Sequence, residues 1–487
     1  MGLNAFFIYY NMKQNYKTLN YEWLTRPTGD PFADAGGFAI EYLSEKFPEK
    51  DILELIDYIT KIYVEKWSGK LNAFFLNSKI TQPAFQGSRK TEETLKYFDA
   101  LINETEPSEV GYCRFTGRET KLFFGGRDNS IMTGSGTLIN FHHFFQKGIS
   151  LSKEALIRIH FVPFACQQLQ GRISLMQSSD QKLSNLFVTF TVEKNLHEIG
   201  IGLSEGVAKS DFNKPANAIF DFIDYTLSQL QDFREATALP SLTLYLFTNF
   251  GASPEIQIYQ LPEKVFLFYR TCLHPKFRED WQKFVLSHYF DGQHKGAKYN
   301  LQTEKFELAK SKETETTDKN EYRQWFNQIY HKLLVDENIR PEILRWSRQH
   351  PFNFEIVSIY QNNIIGMKKE TINKIKELAA FLVREEDAGK IKKRIKALDG
   401  AKNAAVLRRF ILKDIVVANY LANSEKPIVS IDDYVNYLFP DGSYWAEIRD
   451  LLLIAIYQEL HERNLISEEL KIELESTVED EDINKLT

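Results

Sequence analysis

The stretch TGDPFADAGG, Thr28 to Gly37, holds three glycines, two aspartates and one proline in ten residues, with no phosphate-binding glycine pattern before it. It reads as a turn at Gly29-Asp30-Pro31 followed by a helix, with Asp34 as the cap and Gly36 and Gly37 in the first turn. Glycines there leave the helix start bare. A bare start either offers its N–H groups to a phosphate or lets another helix pack closely.

Helical spacing runs outward from this stretch. Phe38 and Tyr42, then Ile52, Leu55, Ile59 and Tyr63, recur at three- and four-residue steps and predict two amphipathic helices. LNAFFLNS and the loop TQPAFQGSRKT lead into a third helix near Glu92 to Leu101. From Gly111 to Phe277 glycine turns separate short runs. RISLMQ (172–177), LFVTFTVEK (186–194), LTLYLFTNF (242–250), EIQIYQL (255–261) and VFLFYRT (265–271) read as strands, with helices at Ser152–Ile159 and Lys214–Phe233. KSKETETTDKNE lacks apolar periodicity and predicts a linker or exposed loop over 300–322.

Beyond it, helical periods occupy 368–383, 390–398, 401–422, 431–439 and 444–464, joined by short polar loops. The expected fold class is α+β, a mixed helix and sheet amino-terminal region followed by an all-α bundle. The expected divisions are a mainly helical part at 1–105, a mixed part with antiparallel strands at 106–299, the linker, a bundle at 323–467 and an acidic tail at 468–487.

At 487 residues, several domains are expected. Cys113, Cys166 and Cys272 are far apart, so neither a disulfide framework nor a zinc site is indicated, and a reducing cytoplasm is the expected compartment. No leader pattern opens the chain, and the run Leu451–Tyr457 is too short and too closely flanked by charge to span a membrane. The net charge of −6 confines any nucleic-acid surface to local patches.

One such patch is plain. Between Lys390 and Lys413 nine basic residues (Lys390, Lys392, Lys393, Arg394, Lys396, Lys402, Arg408, Arg409, Lys413) meet Asp399 alone, whereas 414–487 holds five basic and seventeen acidic residues. Ile391, Ile395 and Leu398 keep an apolar face, and Lys402, Arg409 and Lys413 share a stripe at seven- and four-residue steps. Such a stripe suits a phosphate backbone, since each neutralised phosphate releases counterions. A solvated face, or one docked on an acidic neighbour, is the competing reading.

The second patch is CRFTGRETKLFFGGRDN, where Arg114, Arg118, Lys121 and Arg127 alternate with aromatic and glycine residues. An ordinary hairpin with solvent-facing arginines would look the same. Asn140, His142 and His143 suggest a metal, but adjacent strand histidines point to opposite faces, so a paired or buried histidine is the expectation. Neither a GxSxG elbow nor a GxxxxGK[ST] loop occurs.

Several of these segments resemble one family, the large subunit of the type I-B CRISPR Cascade surveillance complex, in the branch named for paired CxxC motifs. TGDPFADAGG is similar to its amino-terminal signature, FFLNSKITQP to its asparagine-containing segment, and CRFTGR with NFHHFFQKGISLS to its central motif. FTNFGASPEIQIYQLP is similar to the strand and turn that follow, so the likeness covers roughly the first 270 residues in order. Where zinc-binding relatives carry CxxC, this chain has Cys113 and Thr116, so zinc does not carry over.

The resemblance implies a non-catalytic, cofactor-free protein that recognises the protospacer-adjacent motif on double-stranded DNA, helps unwinding and holds the displaced strand. Guide CRISPR RNA would read the sequence. It places Gly29, Asp30, Asp34, Gly36, Asn77, Arg114, Arg118, Lys121, Arg127 and Asn140 near the duplex, and the basic stripe near single-stranded backbone. Implied partners are the backbone, guide-5′-end and small Cascade subunits and a recruited helicase-nuclease or transposition factor. The segment 367–467 would be small-subunit-like, with Met367 a candidate internal start. A metal-dependent nuclease using Asp128, Asn140 and His142, and a helical scaffold that binds no nucleic acid, are the alternative classes.

Overall fold

Asp30, not Asp34, starts the first long helix. Its Oδ1 accepts the N–H groups of Phe32 (3.0 Å) and Ala33 (2.8 Å), and Pro31 fills the first helical position, where no N–H is needed. The cap expected at Asp34 is therefore one turn too late, because Asp34 is already inside the helix with its carboxylate turned to the core.

The structure is a computed structural model. It describes residues 12–105, 107–133, 148–230, 240–248, 255–294, 297–303, 305–308, 315–317, 319–384, 387–422, 426–440 and 445–466. The chain divides into two compact units, 1–236 with 240–262, and 237–239 with 263–487. The main division between the units falls at 262/263.

In the first unit, α1 (Pro31–Lys46) is followed by α2 (Ile52–Lys61), which a capping box of Asp51 and Glu54 opens, and by α3 (Ser88–Ile102). Strands β1 (Glu109–Tyr112), β2 (Glu119–Gly125) and β3 (Ile149–Leu151) form an antiparallel sheet in that order. Helix α4 (Lys153–Phe161), capped by Ser152, is buried at all nine positions. Then come β4 (Gln167–Leu169), β5 (Arg172–Ser178), α5 (Gln181–Gly200), α6 (Pro215–Gln229), β6 (Leu242–Thr248) and β7 (Glu255–Leu261), with the four strands antiparallel in sequence order.

Helix α4 is the hub, and its polar residues explain how. Each finds a partner on another segment: Lys153 with Glu104 (2.6 Å), Glu154 with Arg118 (2.9 Å), Arg158 with Asp34 (2.8 Å), and His160 with the Thr60 hydroxyl (2.9 Å). Arg158 also donates to the carbonyls of Ala33 (2.7 Å) and Arg26 (2.7 Å). The two glycines make this approach sterically feasible. A Cβ on Gly36 would overlap the Arg158 carbonyl oxygen, and one on Gly37 would sit 2.8 Å from its Nη2.

In the second unit, α7 (Glu263–Cys272) and α8 (Arg278–Leu286) precede the small antiparallel sheet of β8 (Lys298–Asn300), β9 (Lys305–Leu308) and β10 (Glu315–Thr317), with β9 central. Helices α9 (Gln328–Leu334), α10 (Arg340–Ser347), α11 (Phe354–Ile359), α12 (Lys369–Val383) and α13 (Ala388–Asp399) follow. Helix α14 (Ala404–Phe410) is prolonged through a wider turn, Ile411–Val417, to Ala418–Leu421. Then come α15 (Ile431–Asp433), prolonged through Tyr434–Leu438, and α16 (Trp445–Glu462).

Leu451 to Tyr457, the most apolar late run, is the buried centre of α16, against which α10, α12, α13 and α14 lie. Arg340 of α10 bridges Glu447 (3.0 Å) and Asp450 (3.3 Å) on it. No helix among the described residues is long and apolar enough to cross a membrane.

Three expectations are corrected. Residues 186–194 and 265–271, rich in aromatic and β-branched residues, lie in helices α5 and α7. Packing on one face (Leu183, Phe187, Val188, Thr191, Val192 and Asn195 in α5) outweighs their strand propensity. The 300–322 linker contains β9 and β10, and Phe306, Leu308 and Tyr322 form a buried cluster with Trp325. Apolar residues too widely spaced to show a period are sufficient for that small core.

Gly36→Ala should destabilise the first unit by about 2–4 kcal/mol, because backbone must move to admit one methyl group. Gly200→Ala, with open space around it, is the neutral control. Thermal denaturation of both variants checks the contrast.

Candidate nucleic-acid interfaces

The corner around Thr28 closes on itself. The Asp34 carboxylate accepts from the Thr28 amide (2.7 Å), the Thr28 hydroxyl (2.7 Å), the Gly29 amide (2.9 Å) and Arg158. Asp30 occupies the helix N–H groups that a phosphate would have used. Of the four residues assigned here to the duplex, Asp34 and Gly36 are buried against Arg158 and offer no surface, while Gly29, at φ 89°, is exposed and Asp30 is half-buried.

In the hairpin between β1 and β2, Arg118 and Lys121 are paired with carboxylates. The Arg118 guanidinium meets buried Glu154 and lies 5.1 Å over the Trp23 ring, whose centroid is 5.0 Å from the Arg26 guanidinium. Lys121 pairs with Glu104, whose pKa the Lys121 and Lys153 hydrogen bonds hold below the ordinary carboxylate range. Arg114 stays exposed, its amide donating to the Ser150 carbonyl (3.1 Å).

At the same turn, burial pushes the Cys113 thiol up, but hydrogen bonds from the Thr116 side chain and the amides of Ser152, Thr116 and Phe115 outweigh it and the net shift is downward. Thr116 thus satisfies the sulfur where a CxxC knuckle would present a second cysteine. All three cysteines are buried, and among the described residues no group of three or more His, Cys, Asp or Glu could hold a metal ion.

Asn77 and Arg127 come together, which their separation in sequence does not reveal. The Leu76 amide donates to the Arg127 carbonyl (2.7 Å), joining the two loops. Asn77 is exposed and left-handed at φ 64°. Beside it is a cleft of about 80 Å³ lined by Asn77, Lys79, Gln82, Asp128 and Asn129, with His160 on its inner wall. Lys79 and Arg89, both exposed and both over the Phe85 ring (5.3 and 5.4 Å), belong to this surface. Sequence reasoning passed over them, although Gly87 directly before Ser88-Arg89-Lys90 is a signal for a basic helix start. Asn140, His142 and His143 lie outside the described residues.

The second unit carries the denser charge. On α13, Ile391, Ile395 and Leu398 are buried, Lys390, Lys393 and Lys396 exposed, and Lys392 and Arg394 half-buried, with Arg394 donating to the Leu382 carbonyl (2.7 Å). On α14 and its extension, Leu407, Phe410, Ile411 and Ile415 face inward, while Lys402, Arg408, Arg409 and Lys413 are exposed. Arg408 lies 5.0 Å over the Phe439 ring. Asp399, the one acid between Lys390 and Lys413, is taken by Arg348 (3.2 Å). Among the described residues, Lys393, Lys402, Arg409 and Lys413 have no ion pair, so their charge faces solvent.

Residues 345–487, from inside α10 to the end of the chain, match the family described as the DevT C-terminal domain. No curated protein sequence matches the chain.

Burial pushes the His160 imidazole down to about 3 from its ordinary 6.5. The unfolded chain therefore binds a proton between those values that the folded unit refuses. The stability contributed is complete above about 6.5 and is lost as pH falls toward 3, by up to roughly 1.4 kcal/mol per pH unit. Acid unfolding of His160→Gln should be less steep over this window, as urea titrations at pH 7 and pH 5 would measure.

Proposed function

We propose that the chain is the non-catalytic large subunit of a type I-B CRISPR Cascade RNA-guided complex. It recognises the protospacer-adjacent motif on duplex DNA with the first unit, assists unwinding, and holds the displaced strand along α13 and α14. The observation that carries the reading is the basic face of those helices, since between Lys390 and Lys413 nine basic residues meet Asp399 alone and Arg348 pairs with it. The DevT match supports it, since DevT is related to type I-B large subunits.

The division of labour follows from the chemistry. A stripe of cations grips phosphates without reading bases, which suits a strand of any sequence. Base reading in the duplex needs a few directed groups; Asn77 and Lys79 line one exposed cleft, and the Leu76 amide holds the Arg127 backbone beside it. Guide RNA pairs with the target. The partners are therefore the guide, the backbone, guide-5′-end and small subunits, and a recruited helicase-nuclease or transposition factor.

In the assembled complex, replacing Lys393, Lys402, Arg409 and Lys413 by glutamine should weaken binding on all sequences and reduce the salt slope by about 0.7 per lost single-strand contact. A slope equal to wild type removes the stripe from the interface. Arg127→Ala should weaken binding chiefly on duplexes with the correct adjacent motif, whereas Arg118→Ala should lower stability, because Glu154 loses its partner in the core. Divalent-ion-dependent cleavage by the purified chain, abolished in His142→Ala, would mean a nuclease instead.

A further inference from the structure

We infer that the exposed face of α13 and α14 is also the docking surface for the chain's own acidic segment, residues 467–487, which covers it when no nucleic acid is bound. The inference rests on the reading of that face as a polyanion site.

The face is not purely ionic. Val406 (38% exposed), Leu412 (50%), Val417, Tyr420 (80%) and Leu421 lie in the open alongside Lys402, Arg409 and Lys413. Phosphates alone make no use of such neighbours, though the bases of a single strand do, and an exposed apolar patch of this extent marks a binding surface that both occupants would compete for. The occupant it fits is anionic and amphipathic.

Residues 467–487 have that pattern. Glu468, Glu469, Glu473, Glu475, Glu479, Asp480, Glu481 and Asp482 oppose only Lys471 and Lys485. Leu470, Ile472 and Leu474 alternate with Lys471, Glu473 and Glu475, so an extended chain would put apolar groups on one side and charges on the other.

Reach is assured by the bundle. At the start of α16, Arg449 donates to the Ala401 carbonyl in the turn between α13 and α14 (3.1 Å). Near its end, the His461 ring meets the Ser347 carbonyl (3.0 Å), and the next residue, Arg348, holds Asp399 at the end of α13. The acidic segment therefore departs close to the face it would cover, and its residues extend to roughly 70 Å. Tethering gives it an effective concentration on the order of millimolar. DNA must displace it, and the cations are screened from weaker polyanions until it does.

The test is a cross-link in the full chain, between Ser476→Cys and Ala405→Cys on the exposed side of α14, with the buried natural cysteines unreactive. At low salt a bismaleimide should join this pair far more than a control pair of Ser476→Cys and Glu279→Cys. The yield should collapse in about 0.5 M salt, where screening is strong, or when Lys402, Arg409 and Lys413 are changed to glutamate. A yield no higher than the control overturns the inference. Removing 467–487 should also tighten binding of an oligothymidylate by about three- to ten-fold at low salt. Unchanged affinity, with the glutamate variant still losing binding, overturns the docking and leaves the proposed function standing. A cross-link in a chain that binds no DNA, intact or truncated, supports the docking and sinks the proposed function.

Discussion

The ion pair between Arg158 and Asp34 fixes the first unit. Both groups are buried, and desolvation alone pulls the Arg158 pKa down, with the nearby Asp34 charge opposing it. Burying such a pair gains little net stability, but removing one partner costs about 3–5 kcal/mol. The pair therefore specifies an arrangement. The guanidinium reaches the carbonyls of Ala33 and Arg26 only because Gly36 and Gly37 let α1 come within backbone contact of α4.

The two units use positive charge in opposite ways. In the first, Arg118, Lys121, Lys153 and Arg158 are each matched to a carboxylate, so residues that look like a DNA-binding set hold the fold together. What stays exposed around Asn77 is smaller and more directional. In the second, α13 and α14 bury a narrow apolar stripe and leave cations outside, with Asp399 occupied by Arg348. The charge there faces solvent, since no ion pair in the described residues uses Lys393, Lys402, Arg409 or Lys413.

Much of the fold was legible because amphipathic spacing is local. The helices at 31–46, 52–61, 369–383, 388–399 and 445–462 appear where the three- and four-residue steps place them. Residues 186–194 and 265–271 were not legible, because β-branched and aromatic runs suit either a strand or a helix packed on one face, and the choice is made by neighbours distant in sequence. The candidate site divides in the same way. The basic stripe follows from spacing alone, whereas the fate of Arg118 depends on Glu154, and that of Asp34 on Arg158, 124 residues away. Nor could spacing bring Asn77 beside Arg127, since one backbone hydrogen bond between loops does so.

The complete burial of α4 has a consequence for how the chain is made. Glu104, Arg118, Asp34 and Thr60 all await partners on a helix that ends at Phe161, so their loops close only after that helix has been synthesised. Contacts this far apart are slow to form, because the entropy of closing each loop is lost before its partner rewards it. During translation the emerging α1 and α2 expose their apolar faces until residue 161 clears the ribosome, an interval in which a chaperone has more to hold than in the locally wired bundle that follows.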